Sequence, residues 1–269
     1  MQDEFTIQDL FIYPIKSLGG ISLKEAKVEE RGFQFDRRWM LVDQNGVFLT
    51  QRTHHKMALL KVELGESGLI VFDKRNPEDQ IHISFELESE QKIEVEIWDD
   101  RVIANKVDPA LDNWFSEKLG LTCHLVKMPE STQRKVSTKY AVNGESVSFA
   151  DGMPYLILGQ ASLNDLNSRL DTPVPMNRFR PNIVFSGGLP YEEDSWKVIK
   201  IGSVEFQVVK PCARCVLTTI DQETGLQGKE PLKTLAGYRT ISNKVYFAQN
   251  MVAPQSGTIR IGDRIILQA

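Results

Sequence analysis

Short apolar and alternating segments recur through the first hundred positions, and a period of two, where it occurs, is the mark of half-buried strands. Residues 5–12 alternate loosely and stop at Pro14. Residues 39–43 form an apolar run closed by Gln44-Asn45-Gly46, and the Asn-Gly pair followed by Val47-Phe48-Leu49 predicts a hairpin. Residues 58–64 and 68–72 predict two strands facing each other across a short turn; 81–85 and 93–98 predict two more. The period then changes. Residues 108–120 predict a capped helix, with Asp108 at the N-cap, Pro109 at the first helical position and Gly120 at the C-cap. The polar stretch 127–150 reads as a long loop, and loops of that length in compact domains often carry function. A second helix is predicted from near Ser162 through Leu163, Leu166 and Leu170, with Asp165 in its first turn. Strands return at 182–185, 196–201 and 204–209, and 257–267 reads as a hairpin-like pair. Many short strands need closure to hide their edges, so the pattern predicts a mainly β chain with a few helices, built of barrels or curled sheets.

Length and charge narrow the picture. A chain of 269 residues suits two domains or one large β domain. No run of about 18 apolar residues occurs, so no membrane helix is expected. The acidic start, Met1-Gln2-Asp3-Glu4, lacks an apolar region, so no secretory signal is expected. A net charge of −4 argues against a nucleic-acid partner. Three cysteines, Cys123, Cys212 and Cys215, do not make a disulfide framework. They read as free thiols in a reducing compartment, which places the chain in the cytoplasm.

Four segments could carry chemistry. Cys212-Ala213-Arg214-Cys215 is a C-x-x-C after a strand and Pro211. Structural zinc needs four ligands, and neither a second pair nor suitably spaced histidines are present. A thioredoxin-like pair needs a helix after it, whereas Val216-Leu217-Thr218-Thr219-Ile220 is β-branched and predicts a strand. Two cysteines packed at a strand turn remain an ordinary alternative. Arg214 tilts the balance towards chemistry, because a neighbouring cation favours a thiolate, the form that binds metals. In the second segment, Arg178 and Arg180 would point the same way if extended, giving forked donors for a phosphate. The third, Tyr13–Gly20, offers Lys16 and Ser17 on a Pro- and Gly-bounded turn, and the fourth is Asp36-Arg37-Arg38-Trp39. Each of these alone is as readily a solvated surface feature. No P-loop or G-x-G-x-x-G fingerprint is present. Cys123 is expected to pack the core.

Taken in order, these segments resemble the MOSC superfamily, named for the C-terminal domain of molybdenum cofactor sulfurase and preceded by its β-barrel N-terminal domain. Within it the pattern resembles the mitochondrial amidoxime-reducing components and their bacterial counterparts. The matching runs are 12–17, 35–39, 178–184 and 212–221, supported by 161–170, Glu193-Asp194-Ser195-Trp196 and Lys229-Glu230-Pro231-Leu232.

The resemblance implies an N-terminal β-barrel domain over 1–125 packed against a β-barrel MOSC domain over 126–269. It implies the molybdenum cofactor, molybdopterin with its metal, held at Cys215. Lys16, Ser17, Arg37 and Arg180 match contacts to the pterin and its phosphate, with Arg178 beside them. Asp151, Gly152 and Met153 match a lining loop, and Asp151 is also a candidate proton relay. Ala213, Arg214 and Asn250 match further contacts, while Met153 and Asn250 depart from the family pattern. The implied activity is reduction of small N-hydroxylated substrates: amidoximes, hydroxylamines and N-hydroxylated bases. Three cysteines cannot hold a four-cysteine cluster, so electrons are expected from a separate ferredoxin-like or flavin reductase protein. The family also carries a pyridoxal phosphate label. The alternative is a sulfur carrier, with a persulfide on one cysteine and Cys212 as its resolving partner.

Overall fold

The alternating segments become strands in the computed structural model, which describes residues 4–86 and 89–268. The start read at 1–3 lies outside the described residues, as does 269. The first half contains β1 (Thr6–Ile12), β2 (Ile21–Leu23), β3 (Glu25–Glu29), β4 (Gly32–Phe33), β5 (Trp39–Val42), β6 (Leu60–Leu64), β7 (Gly68–Asp73), β8 (Asn76–Ser84), β9 (Lys92–Ile97) and β10 (Asp100–Lys106), then α1 (Pro109–Leu119). The second half contains β11 (His124–Lys127), β12 (Tyr155–Gly159), α2 (Gln160–Asn167), β13 (Ile183–Ser186), β14 (Val198–Ile201), β15 (Val204–Ala213), α3 (Leu232–Ala236), β16 (Thr240–Ile241), β17 (Lys244–Val252), β18 (Gly257–Arg260) and β19 (Ile265–Gln268). The fold is mainly β with three α-helices among the described residues. None of the described helices is long and apolar enough to cross a membrane.

The largest sheet runs β19-β14-β15-β17-β12-β13-β1-β2, with β16 added to β17. Its one parallel pair is β12–β13, whose connection carries α2, as a crossover requires. A second sheet runs β5-β11-β10-β9, and two smaller ones are β18-β3-β4 and β6-β7-β8. The expected boundary at 125/126 is crossed by these pairings: β1 joins β13, β3 joins β18, and β5 joins β11.

Two of the apolar cores lie side by side, with Ile21 and Phe35 packed against both. One gathers Ile7, Leu10, Ile12, Phe33, Tyr155, Phe185 and Phe206. The other gathers Ile15, Leu18, Trp39, Met57, Val71, Phe115 and Leu125. Ile12 belongs to the first and Ile15 to the second, so the loop carrying Lys16 and Ser17 sits where the two cores meet.

Several local expectations hold. The Asp108 side chain accepts the Ala110 N–H, and Gly120 takes the left-handed conformation that closes α1. Gly46 has φ +79° in the turn after β5. The Asn-Gly hairpin does close, as a short one: Val42 and Phe48 bridge antiparallel, the Asp43 N–H donates to the Val47 carbonyl at 2.9 Å and the Leu49 N–H to the Leu41 carbonyl at 2.8 Å, although Val47–Leu49 is no named strand. Others do not. The strand expected from residue 58 starts at Leu60, after a 3-10 turn over His55–Leu59. The second helix starts at Gln160 and ends at Asn167, short of Leu170. The hairpin-like pair at 257–267 is two strands that pair elsewhere, β18 with β3 and β19 with β14. The β-branched run after Cys215 is a 3-10 turn, Val216–Thr219, because tertiary packing overrides propensity there.

Candidate functional site

Three chain segments converge at the junction of the cores. Backbone bonds fix them: the Lys16 N–H donates to the Trp39 carbonyl at 2.8 Å, the Arg37 N–H to the Tyr13 carbonyl at 3.0 Å, and the Phe149 N–H to the Arg37 carbonyl at 3.0 Å. Lys16 is therefore carried inward and is 4% exposed. Its ammonium donates to the Phe149 carbonyl at 2.8 Å and to Asp151 Oδ1 at 2.6 Å. Burial pushes the Lys16 pKa down to about 8, against the opposing pull of the Asp151 carboxylate. Crowding would raise Asp151, but Lys16 and then Arg52 outweigh it and hold that carboxyl well below the usual range.

The sign of the Lys16 effect is testable. Its ordinary value is 10.5, so between about pH 8 and 10.5 the unfolded chain binds the extra proton. Stability then rises with pH across that window. The unfolding free energy of wild type relative to Lys16→Met should grow between pH 8 and 10, read by urea denaturation. A constant difference would show that Lys16 is not perturbed.

A second group of cations surrounds Tyr13. The Arg37 guanidinium lies 4.3 Å from the ring centroid and the Arg180 guanidinium 4.1 Å. The ring fits because Gly20 has no side chain: a Cβ there would come within 2.5 Å of it. Asp36 is fully buried and accepts the Tyr13 N–H at 2.8 Å and Arg37 Nη1 at 2.5 Å. Arg180 donates to the Leu18 carbonyl at 2.8 Å, and burial lowers its pKa to about 10. Burial likewise pushes Tyr13 up to about 12.

The expected pairing of Arg178 with Arg180 is corrected. The segment is not extended: Met176–Arg178 is a 3-10 turn and Arg180 has φ +53°. Arg178 turns away, donating to the Thr218 carbonyl at 2.8 Å, to Asp221 at 3.3 Å and to the Glu230 carbonyl at 3.2 Å. It braces the turn that follows Cys215.

Pro211 shapes the C-x-x-C. It cannot donate to the ladder, and the β15–β17 register slips twice, between Val208 and Lys210 and between Pro211 and Ala213. Cys212 still packs with Leu158, Phe179 and Phe247, and its sulfur accepts Arg214 Nη1 at 3.0 Å. Cys215 is a free, half-buried thiol just beyond the strand. Arg214 also donates to the Phe179 carbonyl at 2.7 Å, next to Arg180, while its buried Nε has no hydrogen-bond partner among the described residues. The Ser17 carbonyl is tied to the same region by Gln51, which donates to it at 2.7 Å and pairs with Gln222. Met153 packs with Val252, and Asn250 lies on β17 opposite Leu156 and Lys210. Cys123 is buried with Phe115 in the core.

Six cations (Lys16, Arg37, Arg52, Arg134, Arg180, Arg214) thus share this region with three carboxylates, Asp36, Asp100 and Asp151, and of the cations Lys16, Arg134 and Arg180 are buried. Unbalanced buried charge is costly, and an anionic group would offset it. The orphaned Arg214 Nε is a donor ready for the same ligand. Among the described residues no group of three or more His, Cys, Asp or Glu is placed to hold a metal. A metal here would rest on one thiolate plus non-protein ligands. An anionic group that brings soft sulfur ligands of its own would suit this donor set.

Sequence reading missed Arg52 and Trp98. Arg52 meets Asp151 Oδ2 at 3.4 Å, and the Trp98 indole N–H donates to Asp151 Oδ1 at 3.3 Å. One sequence signal existed: Trp98 ends the alternating run 93–98, where a strand closes into a turn.

Residues 4–122 match the family model described as MOSC N-terminal beta barrel domain, and residues 144–266 match the one described as MOSC domain. Mitochondrial amidoxime-reducing component 1 of Mus musculus is 33% identical over 284 residues, covering 99% of this chain and 83% of the relative. Mitochondrial amidoxime reducing component 2 of Rattus norvegicus is 33% identical over 286 residues, covering 98% and 84%. Molybdenum cofactor sulfurase of Oryza sativa is 32% identical over 261 residues, covering 90% of this chain but 32% of the relative.

Proposed function

The chain belongs to the MOSC family, with the N-terminal β-barrel domain ahead of the MOSC domain, and from that membership we propose that it is a molybdenum-cofactor-dependent reductase of N-hydroxylated compounds. The observation that carries the reading is the surplus of cations around Tyr13 and Asp151, with Lys16 and Arg180 buried and an Arg214 Nε that has no hydrogen-bond partner among the described residues. Similarity along 99% of the chain to a mitochondrial amidoxime-reducing component supports the reaction class.

Cys215 would bind the metal. Lys16, Ser17, Arg37, Arg180 and Arg214 would hold the pterin and its phosphate, with Gly152, Met153, Ala213 and Asn250 lining the pocket. The bound cofactor supplies two-electron chemistry at the N–O bond. Reduction consumes two electrons and two protons and releases water, so the chain must deliver protons and orient the N–OH group. Asp151 stays ionised and suits the second task, as a hydrogen-bond acceptor. Lys16, with a pKa pushed down to about 8, is the better proton donor near neutrality. Electrons would come from a separate ferredoxin-like or flavin reductase protein.

The test is chain purified from a host that makes the cofactor, assayed for molybdenum and for benzamidoxime reduction with a chemical electron donor. Near-stoichiometric metal with turnover supports the reading; metal-free, inactive protein from such a host overturns it.

One observation favours a second reading, persulfide transfer: the Cys212 sulfur is held by Arg214, the residue between the two cysteines. Cys212→Ser separates the two. Reductase chemistry predicts that activity falls less than about threefold, because Cys212 packs rather than binds. Complete loss of activity with metal retained would favour persulfide exchange.

A further inference from the structure

Four non-glycine residues around the candidate site have left-handed backbones: Ser17 (φ 67°), Arg37 (φ 50°), Arg180 (φ 53°) and Trp98 (φ 55°). For a bulky side chain that conformation is strained, and it persists where surrounding contacts impose it. The first three are cofactor candidates. The fourth sits at the tip of the β9–β10 hairpin, where Ile97 pairs with Asp100 and a two-residue turn favours glycine or asparagine.

The contacts around Trp98 show what imposes it. Its indole N–H reaches Asp151 Oδ1, which Lys16 also holds. Arg52 lies 4.1 Å from the Trp98 ring centroid and reaches the other oxygen, Oδ2, at 3.4 Å. Phe48 packs edge-on against the same ring at 4.8 Å. The hairpin is tied down at its next residue but one: Arg134 Nε donates to Asp100 Oδ2 at 2.7 Å. The same guanidinium donates to the carbonyl of Ala150, the neighbour of Asp151. Asp151 has 61% of its side chain open to solvent and stands at the end of a long loop. A carboxylate so exposed would ordinarily sample several rotamers. Here three donors from distant segments converge on it.

We propose that Trp98 and Arg52 are positioning residues, which lock the Asp151 carboxylate onto Lys16 and so fix the polar wall of the site from the β9–β10 hairpin. The assignment goes beyond the reductase reading and rests on it only in its kinetic arm. Lys16 is the reporter. The charged groups facing it are Asp151, Arg134 and Arg37, and of these only Asp151 favours its ammonium form. If Asp151 is released, Lys16 loses that support.

The experiment is NMR titration of the Lys16 side chain in the full chain, for wild type, Trp98→Phe, Trp98→Asn and Arg52→Gln. Trp98→Phe keeps the ring but removes the N–H; Trp98→Asn suits the left-handed turn and removes the ring. All three variants are expected to lower the Lys16 midpoint by about half a pH unit. Trp98→Asn should do so with no loss of melting temperature, which separates positioning from folding. In the kinetic arm, the pH dependence of kcat should shift in the same direction, with KM changed less. An unmoved Lys16 midpoint in both Trp98→Asn and Arg52→Gln would overturn the assignment. A shifted midpoint in a protein inactive towards every N-hydroxylated substrate would uphold it and overturn the reductase reading instead.

Discussion

Cys215→Ala is expected to lose bound molybdenum and all amidoxime reduction while its melting temperature stays within a few degrees of wild type. The local structure does not use the sulfur. It is the Cys215 carbonyl that accepts the Thr218 N–H at 3.1 Å and the Thr218 hydroxyl at 2.9 Å. Its backbone, at φ −135° and ψ −177°, is extended and open to any residue. The turn is braced independently by Arg178 through the Thr218 carbonyl. Truncating a half-buried side chain with no such role costs about 1 kcal/mol or less. Elemental analysis beside a thermal melt reads both effects. Metal retained at the wild-type level would remove Cys215 as the ligand.

Asp36→Ala is expected to have the largest effect on stability. The carboxylate is wholly buried and serves the Tyr13 N–H and Arg37 at once. Its loss strands a guanidinium whose remaining side-chain acceptor is Asn182 Oδ1 at 3.2 Å. It also leaves a buried N–H unsatisfied. Breaking a buried pair from one side costs about 3–5 kcal/mol, a large share of the roughly 5–15 kcal/mol that holds a domain folded. Asp36→Asn keeps the acceptor for Tyr13 and should fall between the two. Urea denaturation checks the order, and an alanine variant within about 1 kcal/mol of wild type would show that the pair does not hold the motif together. Activity should fall with it, since the Tyr13 ring orders both Arg37 and Arg180.

What could be read beforehand was what local chemistry writes. Asp108 and Gly120 announce α1 because caps act within one turn of the helix. Alternation announces β9 and the second half of β8 because one face of each is the more buried. Partner choice is not local. Nothing in 257–267 says that its two strands will pair with β3 and β14 rather than with each other. The same holds for the site. Lys16, Arg37 and Arg180 were legible as motif residues, but their left-handed backbones were not, since only glycine advertises a positive φ. Arg178 and Arg180 part company because packing makes a turn where an extended segment would align them. Trp98 and Arg52 were hidden as the end of an ordinary strand and an ordinary surface arginine.

The pairing of β1 with β13 bears on the order of events during synthesis. The hydroxyls of Thr6 and Ser186 meet across 180 residues of sequence, and the Ile7 N–H waits for the Asp263 carbonyl. At translation rates of roughly 5–20 residues per second, that strand can pair with β2 at once but waits about 10–40 s for β13. Lys16 and Ser17 hang from its end, so the first-made part of the pocket is among the last to be fixed. On the proposed reading, cofactor loading would then be a step for the released chain, and a nascent one stalled before β13 should bind none.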